Sequence, residues 1–368
     1  MKSRAALRWF WFLVVIALAG VHLALVAAAV SQAQTSAGPP RIEWIDVHVH
    51  VIGGRAPRQD YDGAVNAALA VMDEAGITKM LIMPPPQVHT QPSPYDYESF
   101  VKPLKRQAKR FAFLGGGGSL NVILHAVGDG SQVTDRLRRR FEDQAMEILR
   151  QGARGFGEIA AHHLSHLSGH PYESIAADHP LLLLLADIAA RNDAVIDFHF
   201  DLVAEDTKAP EWLAVPPNPA VLRANLASFE RLLGHSRKAR VVWAHAGSDM
   251  LGYWTTALSR RFLERHTSLY MSLRVGPGRA PQNHPLTKAN EIKRDWLSLL
   301  QDFPDRFVIG GDQFIASPLI QGGGPGMIFA QRAANIRERT STFLAALPVD
   351  LARKIGRENA VRLYKLEN

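Results

Sequence analysis

The chain has 368 residues, 47% hydrophobic and 21% charged, with no cysteine and a formal charge of +7. This length and composition suit one large α/β barrel or two smaller domains. The lack of cysteine excludes disulfides, thiolate metal sites and thiol nucleophiles, so any metal must be held by His, Asp and Glu.

Lys2, Arg4 and Arg8 supply part of the charge from a segment without an acid. Trp9 to Val30 follows, apolar except for His22, and then the small, polar run SQAQTSAGPP. A basic start, an apolar stretch and small residues at cleavage-compatible spacing have the form of an export signal. The stretch is also long enough to cross a bilayer uncleaved. Residues 1–33 are therefore expected to be a signal peptide or an uncleaved membrane anchor, 34–41 a linker, and 42–368 the folded domain. That places the domain in the periplasm or outside the cell, or on the outer face of the inner membrane, with membrane contact only through this segment.

The domain opens on IEWIDVHVH (Ile42 to His50), a strand pattern in which Asp46, His48 and His50 share one face by alternation. Two imidazoles on one face make half of a metal site, and the Asp below is placed to hold a histidine tautomer. A half-buried strand with two solvent-facing histidines is the plainer reading of that pair.

Gly63 to Ala75 has helical spacing, and Ile77 to Pro84 reads as a buried strand. A Pro-rich loop leads to a helix ending near Lys109, then a third strand, Phe111 to Gly116. Thr134 to Gln151 is an amphipathic helix whose run Arg136, Arg138, Arg139, Arg140 reads as a solvated face, not a nucleic-acid stripe. The fourth strand is Ala153 to Ala160, and a His-rich loop and the helix Pro180 to Arg191 follow. The fifth and sixth strands are Ala194 to Phe200 and Ala239 to Gly247, the seventh Ser268 to Val275. Leu286 to Asp302 reads as helix, Asp305 to Phe314 as the eighth strand, and two helices close the chain, the last from Val349 to about Leu366. Eight strands alternating with helices predict a single-domain TIM (β/α)8 barrel, with a doubly wound open sheet as the alternative.

The strand ends carry His48 and His50, Glu158, His199, His245 and Asp312. Any one alone is weak; six His or carboxylate groups at matching strand ends converge at one mouth of a barrel. The ordered pieces DVHVH (46–50), GFGEIA (155–160), DFHF (197–200), WAHAG (243–247) and GGDQF (310–314) resemble the amidohydrolase superfamily, and within it the amidohydrolase-2 (amidohydrolase-related) family. The ending LPVDLARKIGRENAVRLYKL is similar to that family's last helix pair, so the resemblance spans about Ile42 to Leu366.

The resemblance implies that His48, His50 and His199 bind a divalent metal ion, with zinc expected and one or two ions. Asp312 would bind the ion or its water and shuttle protons. His245 would serve a second ion or polarise the substrate. Glu158 stands where many superfamily members bridge two metals, with an acid that only supports the ligands as its plainer role.

AHHLSHLSGH (Ala161 to His170) is expected to be a loop at the mouth, from which His162, His163 or His166 would reach substrate. Arg274, at the end of the seventh strand, is placed to pair a substrate carboxylate or to form an internal salt bridge. GGGGS (Gly115 to Ser119) lacks the Lys-Ser/Thr ending of a phosphate loop and reads as a tight turn. Trp212, Tyr253 and Trp254 are read as core by default.

The expected activity is hydrolysis of a small ester, lactone or amide. Non-oxidative decarboxylation of an unsaturated or aromatic acid is the alternative; a non-catalytic binding barrel and a TatD-like nuclease stand behind it. The partner is a small-molecule substrate, and the sequence leaves homo-oligomerisation open.

Overall fold

The computed structural model describes residues 42–54, 57–87, 94–165, 171–214, 216–276, 279–320 and 330–367. The chain divides into two units, Met1–Arg41 and Ile42–Asn368. The signal or anchor segment and the linker lie outside the described residues.

The strands form where apolar and β-branched residues run together. β1 (Trp44–Ile52) is buried along nearly its whole length, as parallel strands covered on both faces are. The strands after it that pair in parallel in the main sheet are β2 (Ile77–Ile82), β3 (Phe111–Phe113), β4 (Gly115–Gly116), β5 (Gly155–His163), β7 (Val195–Phe200), β10 (Arg240–Ala246), β11 (Leu269–Leu273), β12 (Phe307–Ile309) and β13 (Gln313–Ala316). Two-residue strands β6 (Glu173–Ser174), β8 (Thr207–Lys208) and β9 (Val221–Leu222) lie in the connections.

Helices start and stop where capping chemistry allows. In α1 (Tyr61–Ala75), the Asp60 carboxylate accepts the Gly63 N–H, and Gly76 ends the helix at φ 70°. The other main helices are α2 (Val101–Arg106), α3 (Leu120–Ala126), α4 (Asp135–Arg150), α5 (Pro180–Arg191), α6 (Leu226–His235), α7 (Thr256–Arg265), α8 (Arg294–Asp302), α9 (Ala330–Ala346), α10 (Val349–Arg353) and α11 (Asn359–Tyr364), the last two joined by a π-helical turn, Lys354–Glu358.

The fold is mixed α/β around one mostly parallel sheet, ordered β3-β2-β1-β12-β11-β10-β7-β5-β4, with β13 added on β1 and β6 antiparallel on β5. The two ends of this path, β3 and β4, are pieces of the single predicted third strand, divided at Leu114, whose N–H donates to Ile82 O at 2.9 Å.

Two apolar layers flank the sheet. The outer layer joins Val49, Phe156, Phe198 and Trp243 to the helices, and Trp254 belongs to it, stacked on Trp243 at 3.6 Å. The inner layer gathers Ile45, Val47, Leu81, Leu114, Val195, Val242 and Val308 around Leu363 and Tyr364 of α11. Within this layer Ile45, Val47 and Val195 stand in the first half of their strands.

Four expectations are corrected. The register between β1 and β2 shifts between Asp46 and Val49, so Asp46, His48 and His50 do not share one face. Val47 joins the inner layer and Val49 the outer, because an irregularity breaks the simple alternation. Next, β5 runs on to His163, so His162 and His163 are strand residues rather than loop residues; β6 extends the pairing. The helix predicted from Leu286 begins only at Arg294. Thr287 Oγ1 accepts the N–H groups of Ala289 and Glu291 at 3.2 Å, a local turn that competes with helix. Finally, the eighth strand is split into β12 and β13 by Gly310–Asp312. A Cβ on Gly311 would come within 2.6 Å of Asp46 Oδ2, so only glycine lets the chain pass there.

The glycine run Gly115 to Ser119 wraps an internal acid. Buried Asp96 accepts from Gly116 N–H at 3.0 Å, Ser119 N–H at 2.8 Å, Ser119 Oγ at 2.6 Å and Tyr97 N–H at 2.7 Å. The donors a phosphate would need are taken by the chain's own carboxylate. Asp96→Ala strands several of them in the interior and is expected to cost about 3 kcal/mol or more, against about 1 kcal/mol for Ser119→Ala, in urea-unfolding measurements.

Candidate metal centre

Glu158 sits at the middle of the converging strand ends. Its Oε2 is 3.4 Å from His48 Nε2 and 3.3 Å from His50 Nε2. Its Oε1 is 2.6 Å from His199 Nδ1 and 3.2 Å from His245 Nε2. Asp312 Oδ1 closes the group at 3.6 Å from His50 Nε2. Donor atoms fall into three overlapping triads, His48–His50–Glu158, Glu158–His199–His245 and His48–His245–Asp312, each within 4.8 Å. The six residues picked from strand ends therefore meet, and His245 belongs to two of the triads rather than standing apart from the donors.

The far sides of the rings are held. His50 Nδ1 lies 2.9 Å from Met83 O; a carbonyl only accepts, so this nitrogen carries the proton and Nε2 of the neutral ring keeps its lone pair. His48 Nδ1 makes an ion-pair contact with Asp197 Oδ1 at 3.0 Å. His199 Nε2 faces Asp201 Oδ2 at 3.3 Å, and Asp201 also accepts the Leu164 N–H at 2.8 Å. Such carboxylate–histidine pairs fix ring orientation and raise donor strength at metal sites.

Burial disfavours the charged forms of these histidines, yet nearby carboxylates outweigh it. Asp197 and Glu158 hold His48 well above the ordinary histidine range, Asp312 and Glu158 raise His50, and Asp201 with Glu158 takes His199 to about 10. Burial opposes ionisation of Glu158, Asp201 and Asp312 as well. The first two are nevertheless lowered chiefly by the facing histidines, and Asp312 chiefly by Arg274 and His245. Of the four histidines of the centre, His245 alone goes down, because burial wins there. The centre thus demands positive charge between its carboxylates.

A divalent cation fits that demand. His48 Nε2 and His50 Nε2 are buried without a hydrogen-bond partner, and both face the same carboxylate oxygen. Their 3.3–3.4 Å separations from it match neighbouring donors around a tetrahedral ion with bonds of about 2.1 Å. Nitrogen and carboxylate donors without sulfur suit zinc and manganese-type ions alike.

Two catalytic candidates have unusual backbone. His245 has φ 72° and Asp312 has φ 51°, a left-handed region that costs a non-glycine residue about 1–2 kcal/mol. The Asp312 loop is pinned to β1: Asp312 N–H donates to His48 O at 3.0 Å. Asp46 Oδ1 accepts from Gly311 N–H at 2.8 Å and His48 N–H at 3.1 Å, and its Oδ2 from Gln313 Nε2 at 2.5 Å. Asp46 therefore positions the Asp312 loop rather than holding a histidine ring, the consequence of the register shift in β1.

His163 is buried, with its ring centroid 4.4 Å from that of His199. Arg274 lies against Asp312 Oδ2 at 3.1 Å, so its internal ion pair is the contact present. His166 and His170 lie outside the described residues.

Asp197, Asp201 and Glu173 were missed. Asp197 stands two residues before His199, so the period-two rule that found the histidine also pointed to it. Glu173 had no such signal: it faces His163 across β5 and β6. It is buried with neither oxygen hydrogen-bonded, 3.8 Å from His125 Nε2.

No protein-family model matches the chain, and no curated protein matches it in sequence. Similar solved structures include an amidohydrolase II, 13% identical, which covers 88% of this chain and 100% of that one at a TM-score of 0.47. A 2,6-dihydroxybenzoate decarboxylase from Rhizobium is 14% identical, with 89% and 99% covered and a TM-score of 0.44. A dihydroxybenzoic acid decarboxylase from Polaromonas, with bound manganese and 2-nitroresorcinol, is 13% identical, with 89% and 98% covered and a TM-score of 0.45. Likeness at this level decides nothing about chemistry, which rests on the site's own residues.

Glu173 gives a prediction apart from the donors. Burial raises its carboxyl to about 8, above its unfolded value, so the stability it permits is complete at low pH and is lost as pH rises through about 8. Glu173→Gln removes that loss. Between pH 5 and 8.5 the melting temperature of the native protein is expected to fall by several degrees relative to the variant, followed by thermal denaturation.

Proposed function

We propose that the chain is a metal-dependent hydrolase of the amidohydrolase superfamily, acting on a small ester, lactone or amide. The observation that carries this reading is the pair of unpartnered, buried nitrogens, His48 Nε2 and His50 Nε2, facing Glu158 across the sheet. We read the sheet as a closed (β/α)8 barrel; the support is that its two end strands, β3 and β4, are halves of one stretch. The reading also includes export through the segment before residue 42.

His48, His50, Glu158, His199 and Asp312 are the residues that would hold the ion, and zinc suits them. A bound divalent ion supplies Lewis-acid polarisation of a carbonyl and lowers the pKa of water. Asp312 is kept ionised beside Arg274 and His245, so its carboxylate takes the proton of the attacking water and returns it to the leaving oxygen or nitrogen. Burial shifts His245 toward its neutral form, and its ring has Nε2 turned to Glu158 and Nδ1 buried without a partner. Nδ1 is the ring atom left to exchange a proton or hydrogen bond with the substrate. Asp197 and Asp201 orient His48 and His199.

The purified protein is expected to contain a divalent ion, with chelation abolishing turnover and re-addition restoring it. His48→Ala should lose the ion by elemental analysis, and Asp197→Asn should bind it about 10–100-fold more weakly. Asp312→Asn should lower kcat by about 100-fold or more. A protein that neither holds nor takes up an ion overturns the proposal. CO2 release from aromatic or unsaturated acids, with no ester, lactone or amide opened, reassigns the reaction to decarboxylation.

A further inference from the structure

Arg274 follows β11 directly, and its backbone N–H donates to Ala246 O at the end of β10 at 2.9 Å. The residue is only 8% exposed. Its Nε lies 3.1 Å from Asp312 Oδ2, and its Nη1 donates to Ser248 Oγ at 2.7 Å. Ser248 in turn donates its N–H to His245 O at 2.9 Å, closing the turn that carries His245. One guanidinium therefore joins the turn of His245 to the loop of Asp312.

Both of those residues have left-handed backbone, which persists only where surrounding contacts over-determine it. The Nη1 bond to Ser248 fixes the plane of the guanidinium, and its Nε, which makes no hydrogen bond, holds Asp312 by charge at 3.1 Å. Lysine carries the charge without the fork.

We propose that Arg274 is a positioning residue that clamps Asp312 and the His245 turn into one arrangement, rather than an anchor for a substrate carboxylate. The inference rests on reading His245 and Asp312 as the proton-handling pair. A substrate carboxylate would compete with Asp312 for the same guanidinium, so the site is built for an uncharged carbonyl compound at this position.

Two measurements separate this from the hydrolase reading. In the metal-free protein, melting temperatures of Arg274→Ala, Asp312→Asn and the double variant test the clamp without any substrate. The losses are expected to be non-additive, the double variant melting close to Arg274→Ala alone; additive losses overturn the clamp. In turnover assays, Arg274→Ala is expected to lower kcat by about 10–100-fold with KM changed by less than about threefold. Arg274→Lys recovers part of that loss, and Ser248→Ala costs a few-fold. A KM raised about tenfold or more for acidic substrates at unchanged kcat overturns the clamp in favour of an anchor. Should no substrate turn over, the hydrolase reading falls while the melting cycle still decides the role of Arg274. Arg274→Lys and Ser248→Ala carry the test where Arg274→Ala does not fold.

Discussion

The structure depends on one buried carboxylate. Glu158 is 3% exposed and has four imidazoles around it, on β1, β7 and β10. A carboxylate in such a place is stable only if positive charge surrounds it. Three of these histidines, His48, His199 and His50, are tied from behind by Asp197, Asp201 and Met83 O. Charge is thus balanced through three shells, and three strands are fixed relative to a fourth by electrostatics as well as by the sheet.

One face of the sheet carries an apolar layer that gathers around Leu363 and Tyr364 of α11, while the histidines and carboxylates of the centre cluster around Glu158. The left-handed backbone at His245 and Asp312 then turns those two side chains where a regular strand would not. Asp46, the Arg274 guanidinium and the glycine passage at Gly311 hold the turned loops in place. Strain and its restraint are built from residues on neighbouring strands, so the centre has little freedom to relax without the sheet relaxing too.

The glycine-rich turn at Gly115 to Ser119 follows the same logic. Its amides converge as an anion-binding loop would make them converge, and the anion is Asp96 of the chain itself. An internal acid converts a pattern that invites a ligand into a structural knot between the loop and the sheet.

Much of this was legible in the sequence. Strand–helix alternation and apolar runs gave the mostly parallel α/β order, since burial of both strand faces writes itself into composition. The six donors were found because each stands at the end of an apolar segment. What sequence could not supply was everything set by contacts between distant segments. Alternation alone put Asp46 on the face of His48 and His50, and an irregularity in pairing moved it to Gly311 and Gln313. Arg274 was ambiguous until Asp312 and Ser248 were beside it, and Glu173 had no mark until β6 paired with β5. The sequence by itself determined which residue types stand at the strand ends, because local periodicity is a property of the chain. Only the tertiary structure decided which of them face one another, because register, left-handed turns and buried ion pairs depend on residues far apart in sequence.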